Sequence, residues 1–293
     1  MRLAQTAGPK GRPVAVAGDT AVPVGDPERG IRSLDDLVQA GPEAWEAARA
    51  RAAEGRDAEP APSPPAAPIA RPSKIVCVGL NYRDHAKEAE LDLPAEPLLF
   101  AKFPSTIVGP GVPIAWPEGL TEKVDWEAEL AVVVGRGLRD ADVEECGQAV
   151  FGYTVANDVS ARDLQFGDGQ WTRGKSLDGF CPLGPEIVTA DEVPDPHALA
   201  IRTRVNDELV QDSNTSEMVF GVDQILSFCS HAFTLFPGDL VLTGTPAGVG
   251  GFQKPPRFLG DGDHVEVEVE GVGVLPSPIA GGVSSAHLQE VSS

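Results

Sequence analysis

The chain has 293 residues, 42% of them hydrophobic and 6% aromatic, with 32 Gly and 27 Pro. Such a composition describes a turn-rich globular chain of one large domain, or one large and one small, and excludes a fibre or a disordered tail. Lys and Arg number 23 against 44 Asp and Glu, a formal net charge of −21, and so acidic a surface repels phosphate backbones and anionic lipid headgroups, which argues against nucleic acid and membrane partners.

In chain order, residues 14–24 alternate Val with small residues around the turn-type pair Gly18-Asp19 and predict β structure. Ser33 is placed to cap a helix whose apolar face is Leu34, Leu37 and Val38, and after Pro42 a second helical run carries Trp45 and an Ala/Arg series to Ala53. Residues 59–73, EPAPSPPAAPIARPS, favour extended geometry and offer little to a core, so a boundary is expected there. The reading is therefore a small N-terminal domain at 1–58, a Pro-rich linker at 59–73 and a larger domain at 74–293. Beyond the linker, β-branched runs at 75–78, 129–134, 151–156, 199–205, 240–243 and 264–274 predict a mainly β domain, with helices near 84–90, 142–149 and 222–233.

No apolar run approaches the roughly 18 residues a membrane-crossing helix needs. Residues 1–10 lack the charged-then-apolar pattern of a secretion signal, so a cytoplasmic protein is expected. Cys77, Cys146, Cys181 and Cys229 show no CxxC spacing and read as reduced packing thiols.

Three clusters can carry chemistry. Asp125-Trp126-Glu127-Ala128-Glu129 runs into the strand Leu130-Ala131-Val132-Val133-Val134; residues two apart share a strand face, which sets Glu127 and Glu129 side by side and Asp125 with them if the strand starts early. Adjacent anions entering a core need a cation, whereas a solvated acidic edge needs none, and the five residues alone leave both open. Asp158, at the end of the apolar run 153–157, could add a third carboxylate; oxygens without His or Cys select Mg²⁺, Mn²⁺ or Ca²⁺ over Zn²⁺. His85 and Glu88, three apart after the strand 75–78 and Gly79, are either a surface contact or a general-base pair in which the carboxylate orients the imidazole. Lys175, within Arg173-Gly174-Lys175-Ser176, is a surface lysine or a cation for a developing enolate, and the loop Thr243 to Gly250 is a turn or an anion site. His197, His231, His264 and His287 have no comparable setting.

Together, Gly79-Leu80-Asn81-Tyr82 with His85 and Glu88, Asp125 to Leu130, Tyr153 to Gln165, Gly174-Lys175-Ser176, Pro237-Gly238-Asp239 and Thr243 to Gly250 resemble the fumarylacetoacetate hydrolase family over about 74–274. The stretches 180–185 and 243–262 resemble its fumarylacetoacetate-hydrolase-domain branch. The resemblance implies the family's mixed β-sandwich roll, a homodimer, and a divalent metal, Mg²⁺ or Mn²⁺ with Ca²⁺ possible, on Glu127, Glu129 and Asp158. It implies His85 and Glu88 as a water-activating dyad on a lid, and Arg162, Gln165, Lys175 and Thr245 around the oxygens of a small 2-oxo acid. One departure is Gly179, where many relatives have Thr, and a lost hydroxyl there is expected to alter how Lys175 is held.

The activity so implied is hydrolysis of a C–C bond in an acylpyruvate, with Lys175 beside the enolate. The alternatives are an oxaloacetate-type decarboxylase, an enol–keto tautomerase or isomerase, and a hydratase. A metal-bound protein that senses a 2-oxo acid without turnover is the alternative from outside enzymology, and the dyad argues against it.

Overall fold

The computed structural model describes residues 1–8 and 10–284; His287, like the rest of 285–293, lies outside the described residues. Two sheets form the frame. The larger runs in the order 59–60, 20–23, 13–17, 2–5, 181–189, 150–157, 128–134, 240–242, 75–79 and 98–102, with 107–108 pairing parallel to 181–189 off that path. The smaller runs 208–214, 200–205, 264–269, 273–283 and 114–117.

Near the centre of the large sheet lies Ala128–Val134, every residue of it buried. It pairs antiparallel with Val150–Asn157 on one side and Leu240–Leu242 on the other. Its apolar run Leu130 to Val134 follows from cover on both faces. Leu130, Val132 and Val134 pack into a core with Val265, Val267 and Leu275 of the small sheet. Ala131 and Val133 face the opposite way, into a core with Leu34, Leu37 and Val38 of the helix Leu34–Ala40. Each such Val or Leu contributes about 1.5–3 kcal/mol by leaving water, which fixes the register of the strand that carries the acidic cluster.

The N-terminal elements extend the same sheet. Arg2–Gln5 pairs antiparallel with Cys181–Thr189, Leu3 opposite Ile187, and the hairpin Pro13–Ala17 and Thr20–Pro23 follows. Ser33 caps the helix as expected, within a capping box completed by Asp36. The Pro-rich stretch is laid across this part of the molecule: Ile69 is fully buried, Ala66 N donates to Gln5 O at 2.8 Å, and Arg71 N donates to Asp35 Oδ1 at 2.8 Å.

The strands 98–102, 114–117 and 208–214 were not among those read from the sequence, and two further features depart from that reading. The stretch 264–274 is not one strand but the strand His264–Val269 and the start of Gly273–Val283, joined by a turn in which Gly271 takes φ +71°. Cys181–Thr189, which couples the N-terminal strands to the rest, was not expected as a strand because Pro182, Gly184 and Pro185 interrupt its pattern.

Candidate active site

The register of two neighbouring strands assembles the acidic cluster. Ala128 lies opposite Asn157, so Glu127 and Glu129 flank that position on one strand while Asp158 follows it on the other, and Asp158 N donates to Glu127 O at 2.9 Å. One carboxylate oxygen from each of Glu127, Glu129 and Asp158 lies within 4.8 Å of the others, and all three residues are buried. Asp125 does not join them. It accepts from Gly250 N at 2.7 Å, Gly251 N at 2.9 Å and Arg162 Nε at 2.7 Å, and so ties the glycine-rich loop to the site.

Cations surround two of the three carboxylates. Lys175 Nζ donates to Glu127 Oε2 at 2.7 Å and Asp158 Oδ2 at 2.9 Å. Arg162 Nη1 reaches Glu127 Oε1 at 2.7 Å and Gln165 Oε1 at 3.0 Å. Burial alone would push the Glu127 carboxyl up, but the charges of Lys175 and Arg162 outweigh it and hold the group down at about 2. Burial likewise opposes the charge on Lys175, and Asp158 and Glu127 more than offset it, raising its affinity for the proton.

Glu129 differs. It accepts one backbone hydrogen bond, from Gly244 N at 2.7 Å, and makes no ion pair among the described residues. Burial, then repulsion by Asp158 and Glu127, pushes its carboxyl well above the ordinary range. A buried carboxylate without a counter-charge is costly, and an all-oxygen donor set suits a hard divalent cation. The residues present therefore fit a divalent ion.

A cavity of about 80 Å³ opens on the cluster, lined by Glu127, Glu129, Arg162, Gln165, Lys175, Thr245 and His85 together with apolar side chains. His85 is buried on the short helix Arg83–Glu88, its Nδ1 3.2 Å from Glu88 Oε2, and its ring meets the edge of Phe252 at 5.6 Å. Glu88 Oε1 in turn accepts from Gly248 N at 2.9 Å, so the glycine-rich loop holds the carboxylate that holds the imidazole. Arg162 Nη2 is buried and has no hydrogen-bond partner among the described residues. All nine residues singled out from the sequence thus meet at one place: seven line the cavity, Asp158 joins Glu127 and Glu129 in the acidic cluster, and Glu88 stands behind His85.

Two positions were not anticipated. Lys102, fully buried, donates to Asp158 Oδ1 at 2.6 Å and Val159 O at 3.1 Å. Its signal was a lone lysine closing the run Leu98-Leu99-Phe100-Ala101. Gln211 accepts from Ala128 N at 3.0 Å and donates to Thr245 Oγ1 at 3.0 Å, joining the acidic strand to the Thr245 loop; nothing in its sequence context marks it.

Gly179 precedes the strand Cys181–Thr189 and takes φ +78°, which strains any L side chain, and it lines a different cavity of about 540 Å³ with Val108, Leu120 and Asp178. The Lys175 ammonium is held by Glu127, Asp158 and the Phe100 ring, 5.0 Å away.

A mainly β architecture that brings three buried carboxylates, their cations and a His–Glu pair to one cavity is that of an enzyme with a place for a divalent ion. The model of the fumarylacetoacetate hydrolase C-terminal domain matches residues 74–280, and the chain belongs to that family. The oxaloacetate tautomerase FAHD2B, mitochondrial, of Bos taurus is 52% identical over 211 residues, which are 71% of this chain and 67% of that protein. Among solved structures, fumarylacetoacetate hydrolase from the psychrophile Exiguobacterium antarcticum superposes with TM-score 0.83 and 38% identity, covering 96% of this chain and 99% of that one. Maleylpyruvate hydrolase from Sphingobium sp. SYK-6, solved with manganese(II) and pyruvate, gives TM-score 0.79 and 29% identity over 97% of this chain and 100% of that one.

Proposed function

We propose that the protein is a divalent-metal-dependent enzyme that interconverts the keto and enol forms of oxaloacetate or a close 2-oxo acid analogue. The observation that carries this reading is the placement of His85, backed by Glu88, on the same small cavity as Glu127, Glu129 and Asp158. The 52% identity to an oxaloacetate tautomerase supports the choice of reaction.

Glu127, Glu129 and Asp158 would hold Mg²⁺ or Mn²⁺, with Ca²⁺ also suited to the oxygens. Such an ion, when bound, supplies Lewis-acid polarisation of the 2-oxo group, which acidifies the adjoining C–H. His85 moves the proton. Its neutral imidazole takes it from C3 of the keto acid, and the imidazolium releases it to the 2-oxygen through solvent; the reverse order regenerates the ketone, with no water consumed. Glu88, facing Nδ1, fixes the tautomer that leaves Nε2 as the base and stabilises the imidazolium. Lys175 stabilises negative charge developing on the 2-oxygen. Arg162 Nη2, Gln165 and Thr245 are the donors left to orient carboxylate oxygens.

A second reading, hydrolytic C–C cleavage of an acylpyruvate, is favoured by the similarity to maleylpyruvate hydrolase. There His85 would take its proton from water, and the hydroxide would attack the distal carbonyl. The test follows oxaloacetate enol by ultraviolet absorbance and pyruvate release by a coupled assay, with Mg²⁺, Mn²⁺ or chelator, on the parent and His85→Ala. Metal-dependent enol–keto interconversion that collapses in His85→Ala is the expected result. Pyruvate released from acylpyruvates without tautomerisation would replace this reading by the second, and turnover of neither class would sink both.

A further inference from the structure

Trp171 stands one turn before Lys175. Its carbonyl accepts from Lys175 N at 3.0 Å, so the indole and the ammonium leave the chain on the same side of the short helix Thr172–Lys175. The ring rests on a notch in the large sheet. Gly79 pairs with Leu98 and Cys77 with Phe100, which puts positions 77, 79, 98 and 100 on one face. A Cβ at position 79 would lie 2.6 Å from Trp171 Cζ3 and 3.0 Å from its Cη2, so the glycine is required by the approach of the ring. Phe100 closes the seat from the side, edge-to-face with Trp171 at 5.2 Å and 66°.

The cavity this ring bounds is small. At about 80 Å³ it is far below the roughly 300 Å³ at which ordinary small-molecule sites begin. Beside Val78, Leu80 and Phe252, its apolar walls include two contrasting pairs. Leu91 and Phe166 are 52% and 62% exposed, and so sit at the rim where a side chain can swing aside. Trp171 and Phe100 are partly buried and held on more than one side: Trp171 lies over Gly79 and edge-to-face with Phe100, whose ring is 5.0 Å from the Lys175 ammonium.

We propose that Trp171 is the specificity-determining residue of the site: its indole, seated on Gly79, closes the cavity beside Lys175 and admits 2-oxo acids with a short chain while excluding an aryl substituent at C3. This rests on the reading of the site as one for 2-oxo acids, and it names the part of that class which fits.

The test compares pyruvate with phenylpyruvate, which differ only by the ring on C3, as ligands of the Mn²⁺-loaded protein by titration calorimetry. The parent is expected to bind pyruvate the more tightly. In Trp171→Ala the ratio of affinities should move toward phenylpyruvate by about tenfold or more, a change of the size expected when a pocket wall is cut back. Trp171→Leu, which keeps an apolar side chain over Gly79, should shift the ratio the same way by less, and covers the case in which the alanine variant does not fold, as judged by thermal melting. An unchanged ratio, or a parallel loss of both acids, overturns the proposal, because Trp171 would then only support Lys175. A parent that binds neither acid overturns the 2-oxo acid reading itself, and this proposal with it.

Discussion

Lys102 and Lys175 divide the Asp158 carboxylate between them, Lys102 on Oδ1 at 2.6 Å and Lys175 on Oδ2 at 2.9 Å, with all three side chains buried. Lys175 also holds Glu127, whereas Lys102 pairs with no second carboxylate among the described residues and is not part of the lining of the cavity on the acidic cluster. Its work is to hold Asp158 in place. Lys102→Met fills the space but leaves Asp158 short of a partner, and breaking one side of a buried pair costs about 3–5 kcal/mol. Urea unfolding should register a loss of that size, and a loss below about 1 kcal/mol, the range of exposed pairs, would show that the pair is dispensable.

The His85–Glu88 pair gives the second expectation. Glu88 does not line the cavity, and it acts through the ring it orients and through Gly248 N. Glu88→Gln keeps the shape and a hydrogen bond but removes the charge that favours the imidazolium. Loss of such an orienting partner typically costs about 10–100-fold, and here it should fall on kcat with KM little changed. A larger effect on KM than on kcat would mean that Glu88 serves substrate binding instead.

Much of this site was legible because its chemistry is local in sequence. Glu127-Ala128-Glu129 is a strand alternation that shows both carboxylates on one face, and His85 and Glu88 are one helical turn apart. Asp158 could be suspected only as a strand end; the register Ala128 opposite Asn157 is what delivers it. Lys102, Gln211 and Trp171 act across separations of 56, 34 and far more chain than any period reaches, and pairing between strands is not written in either strand alone. The same limit hid the strand Cys181–Thr189, whose Pro and Gly residues break the alternation, although it joins the N-terminal strands to the acidic ones.

The cysteines offer a check on burial. All four are free and buried, and desolvation pushes their thiols up: Cys146 to about 11, Cys181 and Cys229 to about 12, and Cys77 well above the ordinary value. A thiol raised in this way stays neutral, and the neutral form is not the nucleophile. Native protein at pH 8 should therefore show less than one equivalent reacting promptly with Ellman's reagent, and all four should react in guanidinium. Rapid reaction of one thiol in the native protein would place that cysteine in an opening segment.

Glu129 sets the sharpest test of the acidic cluster. In the metal-free protein its raised carboxyl binds a proton that the unfolded chain releases at the ordinary value, so folding stability falls as pH rises through the interval between the two. Glu129→Gln keeps an acceptor for Gly244 N and removes the unpaired charge. Without metal, the variant should match or exceed the parent in melting temperature, with the advantage growing from pH 5 to pH 8. With Mn²⁺ the order should reverse. An ion at a hundred times its Kd stabilises by about 2.7 kcal/mol when it binds only the folded state, and the variant, short of one carboxylate ligand, should lose most of that gain. Chelator should return the parent to the lower curve. If Mn²⁺ raises the melting temperature of parent and variant alike, the ion binds elsewhere and the three carboxylates do not form its site.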